Sequence, residues 1–74
     1  MNQEEYISNP LWRILVETVH AMILYPHHKA YVRDVFLQEK PDLTAKLLEI
    51  KLGIPLGEAL VILYELAKER RTSV

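Results

Sequence analysis

The chain has 74 residues, enough for one domain. Its 9 basic and 10 acidic residues give a net charge of −1, without the basic excess of a dedicated nucleic-acid binder. The absence of cysteine excludes disulfides and thiolate metal sites, and 50% apolar content with a single Trp and a single Phe requires a core of Leu, Ile, Val and Ala.

Residues 1–8, MNQEEYIS, read as a polar leader. They have neither the basic start nor the apolar run of a secretory signal. No apolar stretch approaches the roughly 20 residues that span a bilayer, and the cysteine-free composition points to the cytoplasm. Asn9-Pro10 is a helix start, because Asn accepts from an orphan amide and Pro loses nothing in the first turn. The first helix is expected to run to Leu24 or Tyr25, where Pro26 stops it. Its polar stripe is narrow, Arg13, Glu17 and His20. The rest of its circumference carries Leu11, Trp12, Ile14, Leu15, Val16, Val19, Met22 and Ile23.

A loop at Pro26-His27-His28-Lys29 follows. A second helix is expected from Ala30 to Glu39, with Val32, Val35 and Phe36 on one face; a short strand in this segment is the alternative. Pro41 breaks the chain, and Asp42 or Thr44 can cap the third helix, which Gly53 ends in a left-handed conformation. The fourth helix begins near Pro55 and reaches about Arg70. With no repeat or low-complexity tract, the expectation is one all-α compact bundle of about four helices over residues 9–71, with 72–74 as a tail.

The third and fourth helices carry a pattern. Leu48, Leu52, Gly53 and Ile54 form a turn, and Ala59, Ile62, Leu63 and Leu66 recur at helical spacing. Over residues 44–66 this resembles the helix-turn-helix superfamily, in a wingless, transcription-regulator-like form. The resemblance implies a helix-turn-helix-like C-terminal half and, in DNA-binding members, a second helix seated in the major groove. Glu49 stands where the pattern usually has a small residue. The outward positions implied are Leu56, Gly57, Glu58, Leu60, Val61, Tyr64, Glu65 and Lys68. Base edges are read by polar and cationic side chains, whereas these are mostly apolar or acidic and only Lys68 suits a phosphate.

The fourth helix is apolar over about 200° of its circumference, with Glu58, Glu65 and Glu69 on one side. A half-buried helix needs about 100° or somewhat more. It therefore either runs through the centre of the fold or buries a second face on a partner. The first helix shows the same excess, and self-association follows as the expectation. The contact surface is assigned to Trp12, Val16, Leu56, Leu60, Val61 and Tyr64.

Chemistry is sparse. His20, His27 and His28 do not form a convergent ligand set, and no nucleophile–base motif or glycine-rich phosphate loop occurs, so neither an enzyme, a cofactor nor a small-molecule substrate is expected. His27, His28, Lys29 and Arg33, with Lys68, Arg70 and Arg71, are the candidate phosphate contacts. The reading is a non-enzymatic protein-interaction module, homodimeric or half of a heteromeric complex, with a small DNA-binding transcriptional regulator as the alternative. Charge does not favour DNA, and no membrane association is expected.

Overall fold

Pro26 organises the first half of the fold, by starting a helix rather than ending one. The computed structural model describes residues 3–72, with side chains described for residues 5–70. These residues form an all-α compact bundle of five helices: α1 (Gln3–Ile7), α2 (Trp12–His20), α3 (residues 25–39), α4 (Ala45–Leu52) and α5 (Leu56–Thr72). The radius of gyration is 11.7 Å, that of a packed chain of this length.

Four expectations are corrected in this half. The leader contains a helix, α1. The first long helix stops at His20, and a turn over 21–24 is held by Met22 N–H to Val19 O (3.0 Å) and Tyr25 N–H to Met22 O (3.2 Å). The expected loop at 26–29 is the first turn of α3, in which Pro26 sits where its missing N–H leaves no bond unmade. A helix running unbroken through Pro26 would lose that bond and meet the ring in its interior, so the chain turns and restarts.

The expected start at Asn9-Pro10 is displaced: α2 begins at Trp12, with Leu11 as its N-cap and no side-chain cap. Asn9 Oδ1 accepts from Leu11 N–H (2.8 Å) in the turn ahead of the helix. Residues 30–39 are helical throughout, with wider π-type turns over Val32–Phe36. Val32 is fully buried, while Val35 and Phe36 are half-buried.

The second half follows its capping residues closely. Thr44 Oγ1 accepts from Leu47 N–H (3.2 Å) and caps α4. Gly53 ends α4 at φ 67°, ψ 32°, the left-handed region that a residue without Cβ enters at no steric cost. Leu48, Ile54, Ala59, Ile62, Leu63 and Leu66 are all buried. Residues 73–74 lie outside the described residues.

α5 is the axis of the bundle. α4 packs against it most extensively, followed by α2 and α3. The α2 side approaches through Gly57, where an added Cβ would lie 2.8 Å from Leu15 Cδ1, and through Trp12, whose ring meets Tyr64 edge-on at 5.5 Å. The α3 side meets the three glutamates. Ala59 and Ile62 are fully buried on a further sector. Each large apolar side chain so enclosed contributes roughly 1.5–3 kcal/mol, which is why a helix this apolar belongs at the centre.

Candidate functional site

The central position of α5 redefines the expected contact surface. Leu60 and Val61 are core, covered by the chain's own helices, because α5 is packed on several sides at once. Trp12, Val16 and Leu56 are half-buried and packed against that core, and Tyr64 is half-buried under Trp12. None of the six stands out as a free apolar knob. The exposed large apolar residues lie elsewhere: Leu11 (65% exposed) and Ile14 (58%) just before and on the outer face of α2, Ile23 (89%) and Leu24 (56%) in the turn after it, and, away from that face, Tyr31 on α3 and Ile50 on α4.

The supposedly outward glutamates of α5 face α3. On α3, Tyr25, His28 and Lys29 stand at i, i+3 and i+4, one helical face. On α5, Glu58, Glu65 and Glu69 stand at i, i+7 and i+11, also one face. His28 Nδ1–H donates to Glu58 Oε2 (2.6 Å), and His20, at the end of α2, donates from Nε2 to Glu65 Oε2 (2.7 Å). The Tyr25 hydroxyl donates to Glu65 Oε1, Lys29 reaches the same oxygen (3.4 Å), and Lys29 also bonds Glu69. The carboxylates, as acceptors, fix which ring nitrogen carries the proton.

These pairs set the local electrostatics. Burial alone would raise the Glu65 carboxyl, but the hydrogen bonds from Tyr25 and His20, with the Lys29 charge, outweigh it and hold it below the ordinary value. Burial first, and then the bond to Glu65, push the Tyr25 hydroxyl up. For Lys29, burial works downward, yet Glu69 and Glu65 keep the ammonium charged and raise it. The Glu58 side chain is 0% exposed. Its Oε1 has no hydrogen-bond partner among the described residues.

Three of the seven candidate phosphate contacts are engaged within the fold. His28 and Lys29 face the carboxylates of α5, and Arg33 binds its neighbour Asp34 (2.9 Å). His27, Lys68 and Arg70 are exposed, and the Arg71 side chain lies outside the described residues. Among the described residues the structure does not assemble the other six into one basic surface. Among the described residues no group of three or more His, Asp or Glu side chains is placed to hold a metal ion. The sequence reading located the glutamates on one side of α5 but missed their partners. The Tyr25-His28-Lys29 spacing becomes visible only when residues 25–31 are read as a helix.

A groove runs along the fourth side of α5. Leu56, Leu60, Leu63, Ala67 and Arg70 line it from the helix, facing Tyr6 of α1 and the 41–46 segment, and enclose about 650 Å³. A second cleft, bordered by Arg33 and Glu69, shares Leu37, Pro41, Leu66 and Arg70 with it and continues it.

Fold and sites together define a class: a small all-α bundle built around a central helix, with a carboxylate clasp on one side and an apolar groove on another. No family model, curated protein or solved structure matches the chain. Among the described residues no helix is long and apolar enough to cross a membrane.

Proposed function

We propose that this chain is a non-catalytic protein-interaction module that self-associates through the outer face of α2. The single observation that carries the reading is the set of four large apolar residues, Leu11, Ile14, Ile23 and Leu24, each more than half exposed on α2 and the turn that follows it. Isolated exposed apolar residues need no explanation. Two such pairs, bracketing one short helix in a small domain, argue for a covering surface.

A second copy fits this face by charge. Arg13 and Glu17, 3.5 Å apart, flank it. In a two-fold antiparallel pairing of α2 helices, Arg13 of one copy comes opposite Glu17 of its partner, and the reverse contact repeats it. Oligomeric state, measured by light scattering on the wild type and on Leu11→Glu together with Ile14→Glu, tests this. Carboxylates are favourable in the first turn of a helix, so this variant is expected to fold. A folded monomer beside a dimeric wild type supports the reading; a variant that stays dimeric sinks it.

Residues 44–66 fit a helix-turn-helix-like reading at the level of caps and buried positions. On that reading the motif would serve packing, since Glu58, Leu60 and Val61, the positions a groove-reading helix would present, are buried in the fold. A DNA-binding regulator would bind duplex DNA with an affinity falling steeply as salt rises; such binding would displace the interaction reading. The cytoplasmic setting is part of the proposal and rests on composition.

A further inference from the structure

We infer that Glu65 is a latch that fixes the bend between α2 and α3, and with it the shape of the self-association face. The latch stands on the fold alone; its effect on the face rests on the self-association proposed above. Three observations carry the inference.

The first is what the bend lacks. A helix end is ordinarily fixed by a left-handed residue after it, and a helix start by a side-chain cap. α4 has both, Thr44 before it and Gly53 after it. Between α2 and α3 neither occurs. Ala21 follows α2 at φ −81°, ψ −9°, and no residue of 21–24 has a positive φ. Leu24 precedes α3 with no side-chain cap bond. Backbone bonds from Met22 N–H (3.0 Å) and Tyr25 N–H (3.2 Å) close the turn, but no local cap sets its direction.

The second is what replaces the caps. His20 is the last residue of α2 and Tyr25 the first of α3. Each is tied to one oxygen of the same carboxylate: His20 Nε2 donates to Glu65 Oε2 (2.7 Å), and the Tyr25 hydroxyl donates to Oε1. Lys29, one turn further along α3, reaches Oε1 at 3.4 Å and brings its ammonium beside it. A carboxylate accepts on both oxygens at once, so the donors on them are held a fixed distance apart. Glu65 belongs to α5, the axis of the bundle, and its side chain is 20% exposed. The bend is therefore set from outside the turn, by a residue 40 to 45 positions along the chain.

The third is what the bend carries. Ile23 and Leu24 stand exposed in the turn, and Leu11 and Ile14 stand exposed just before and on α2. A partner that covers both pairs meets them in one arrangement, which the direction of the turn determines. Tyr25 is buried and cannot touch that partner. Glu65 thus acts on the face through the turn, as a positioning residue and not as a contact.

The test compares the full chain with His20→Ala, Tyr25→Phe, the two together, and Glu65→Leu. Amide hydrogen exchange, read residue by residue by NMR, is the measurement. Protection at 22 and 25 reports the turn; protection at Leu48 and Gly53, whose amides bond within and at the end of α4, reports the rest of the fold. A lost hydrogen bond to a charged group is about a tenfold change. Each single variant is expected to speed exchange at 22 and 25 by about tenfold relative to 48 and 53. The double variant and Glu65→Leu should match the single ones, because a latch released on one side is released.

Multiplied effects in the double variant would mean two independent bonds and overturn the latch. The His20 and Tyr25 rings also meet directly, with centroids 5.3 Å apart. Non-additivity that persists in a Glu65→Leu background would therefore belong to that ring contact, and overturns the latch as well. Equal acceleration at all four amides does the same, since the bonds would then serve the whole fold and not the turn. Sedimentation velocity on these proteins reads the effect on the face. Tyr25→Phe should weaken self-association by about threefold or more, because a released turn must be bent again before two copies pair. A dimer of unchanged affinity overturns the positioning role. A monomeric wild type sinks the self-association reading and the positioning role with it, while the exchange ratios still decide the latch, so the two failures are told apart.

Discussion

Replacing His28 with alanine is the sharpest perturbation of the fold. Glu58 is enclosed, and the His28 bond at 2.6 Å is the hydrogen bond made by its carboxylate among the described contacts. Removing the hydrogen-bond partner of a buried carboxyl group leaves it unsatisfied and typically costs about 1–3 kcal/mol. His28 is 28% exposed, so water can reach part of the space it vacates, and the middle of that range, about 2 kcal/mol, applies. A chain of this length has a total stability of about 4–11 kcal/mol, so the loss is a large share of it. Replacing both residues by leucine removes the buried carboxyl and its hydrogen-bond partner together. That double variant should lie within about 1 kcal/mol of the wild type or above it, as replaced buried pairs often do. Urea unfolding followed by far-ultraviolet circular dichroism measures all three proteins, and an unchanged slope with denaturant secures the comparison. A His28→Ala cost below about 1 kcal/mol would refute the reasoning, because Glu58 would then have to be hydrated.

Further outcomes follow from other contacts. Glu65 has its folded-state carboxyl held below the ordinary value, so its contribution is present above about pH 4 and is lost as pH falls through the folded-state value; Tyr25→Phe removes a bond that holds it there and should move the acid unfolding midpoint upward. The Tyr25 hydroxyl is shifted the other way, so its contribution is complete below about pH 10 and fades as pH rises through its raised value, an alkaline loss that the same variant should lack. Gly53→Ala should cost about 1–2 kcal/mol in thermal or urea unfolding, since it forces a Cβ into the left-handed region at φ 67°. Gly57→Ala should be close to neutral: its Cβ would press on Leu15 Cδ1 at 2.8 Å, the mobile end of a side chain, while the helix gains about 1 kcal/mol in propensity. Gly57→Val, with more bulk at the same place, should cost about 1–3 kcal/mol.

The second half of the chain was readable because its signals are local. Thr44 followed by an apolar run, and Gly53 before a branched residue and Pro55, specify cap and turn through backbone groups a few residues away. The first half was misread at Pro26, where one residue type serves both to stop a helix and to open one. The choice rests on whether Tyr25, His28 and Lys29 find partners, and those lie 30 to 40 positions along the chain on α5. The apolar excess of α5 was legible, and so were its two explanations, but periodicity cannot choose between a central helix and a docking helix. Burial of Leu60 and Val61 chose the first. The α2 excess divides differently, with Val19 enclosed and Leu11 and Ile14 left outside.

Sedimentation velocity of the full chain across a wide dilution series tests the central proposal most directly. Self-association predicts a species near twice the 8.7 kDa chain mass that dissociates on dilution, and a folded monomer when Leu11 and Ile14 are both glutamate. A wild-type chain that remains monomeric at every concentration would contradict the account.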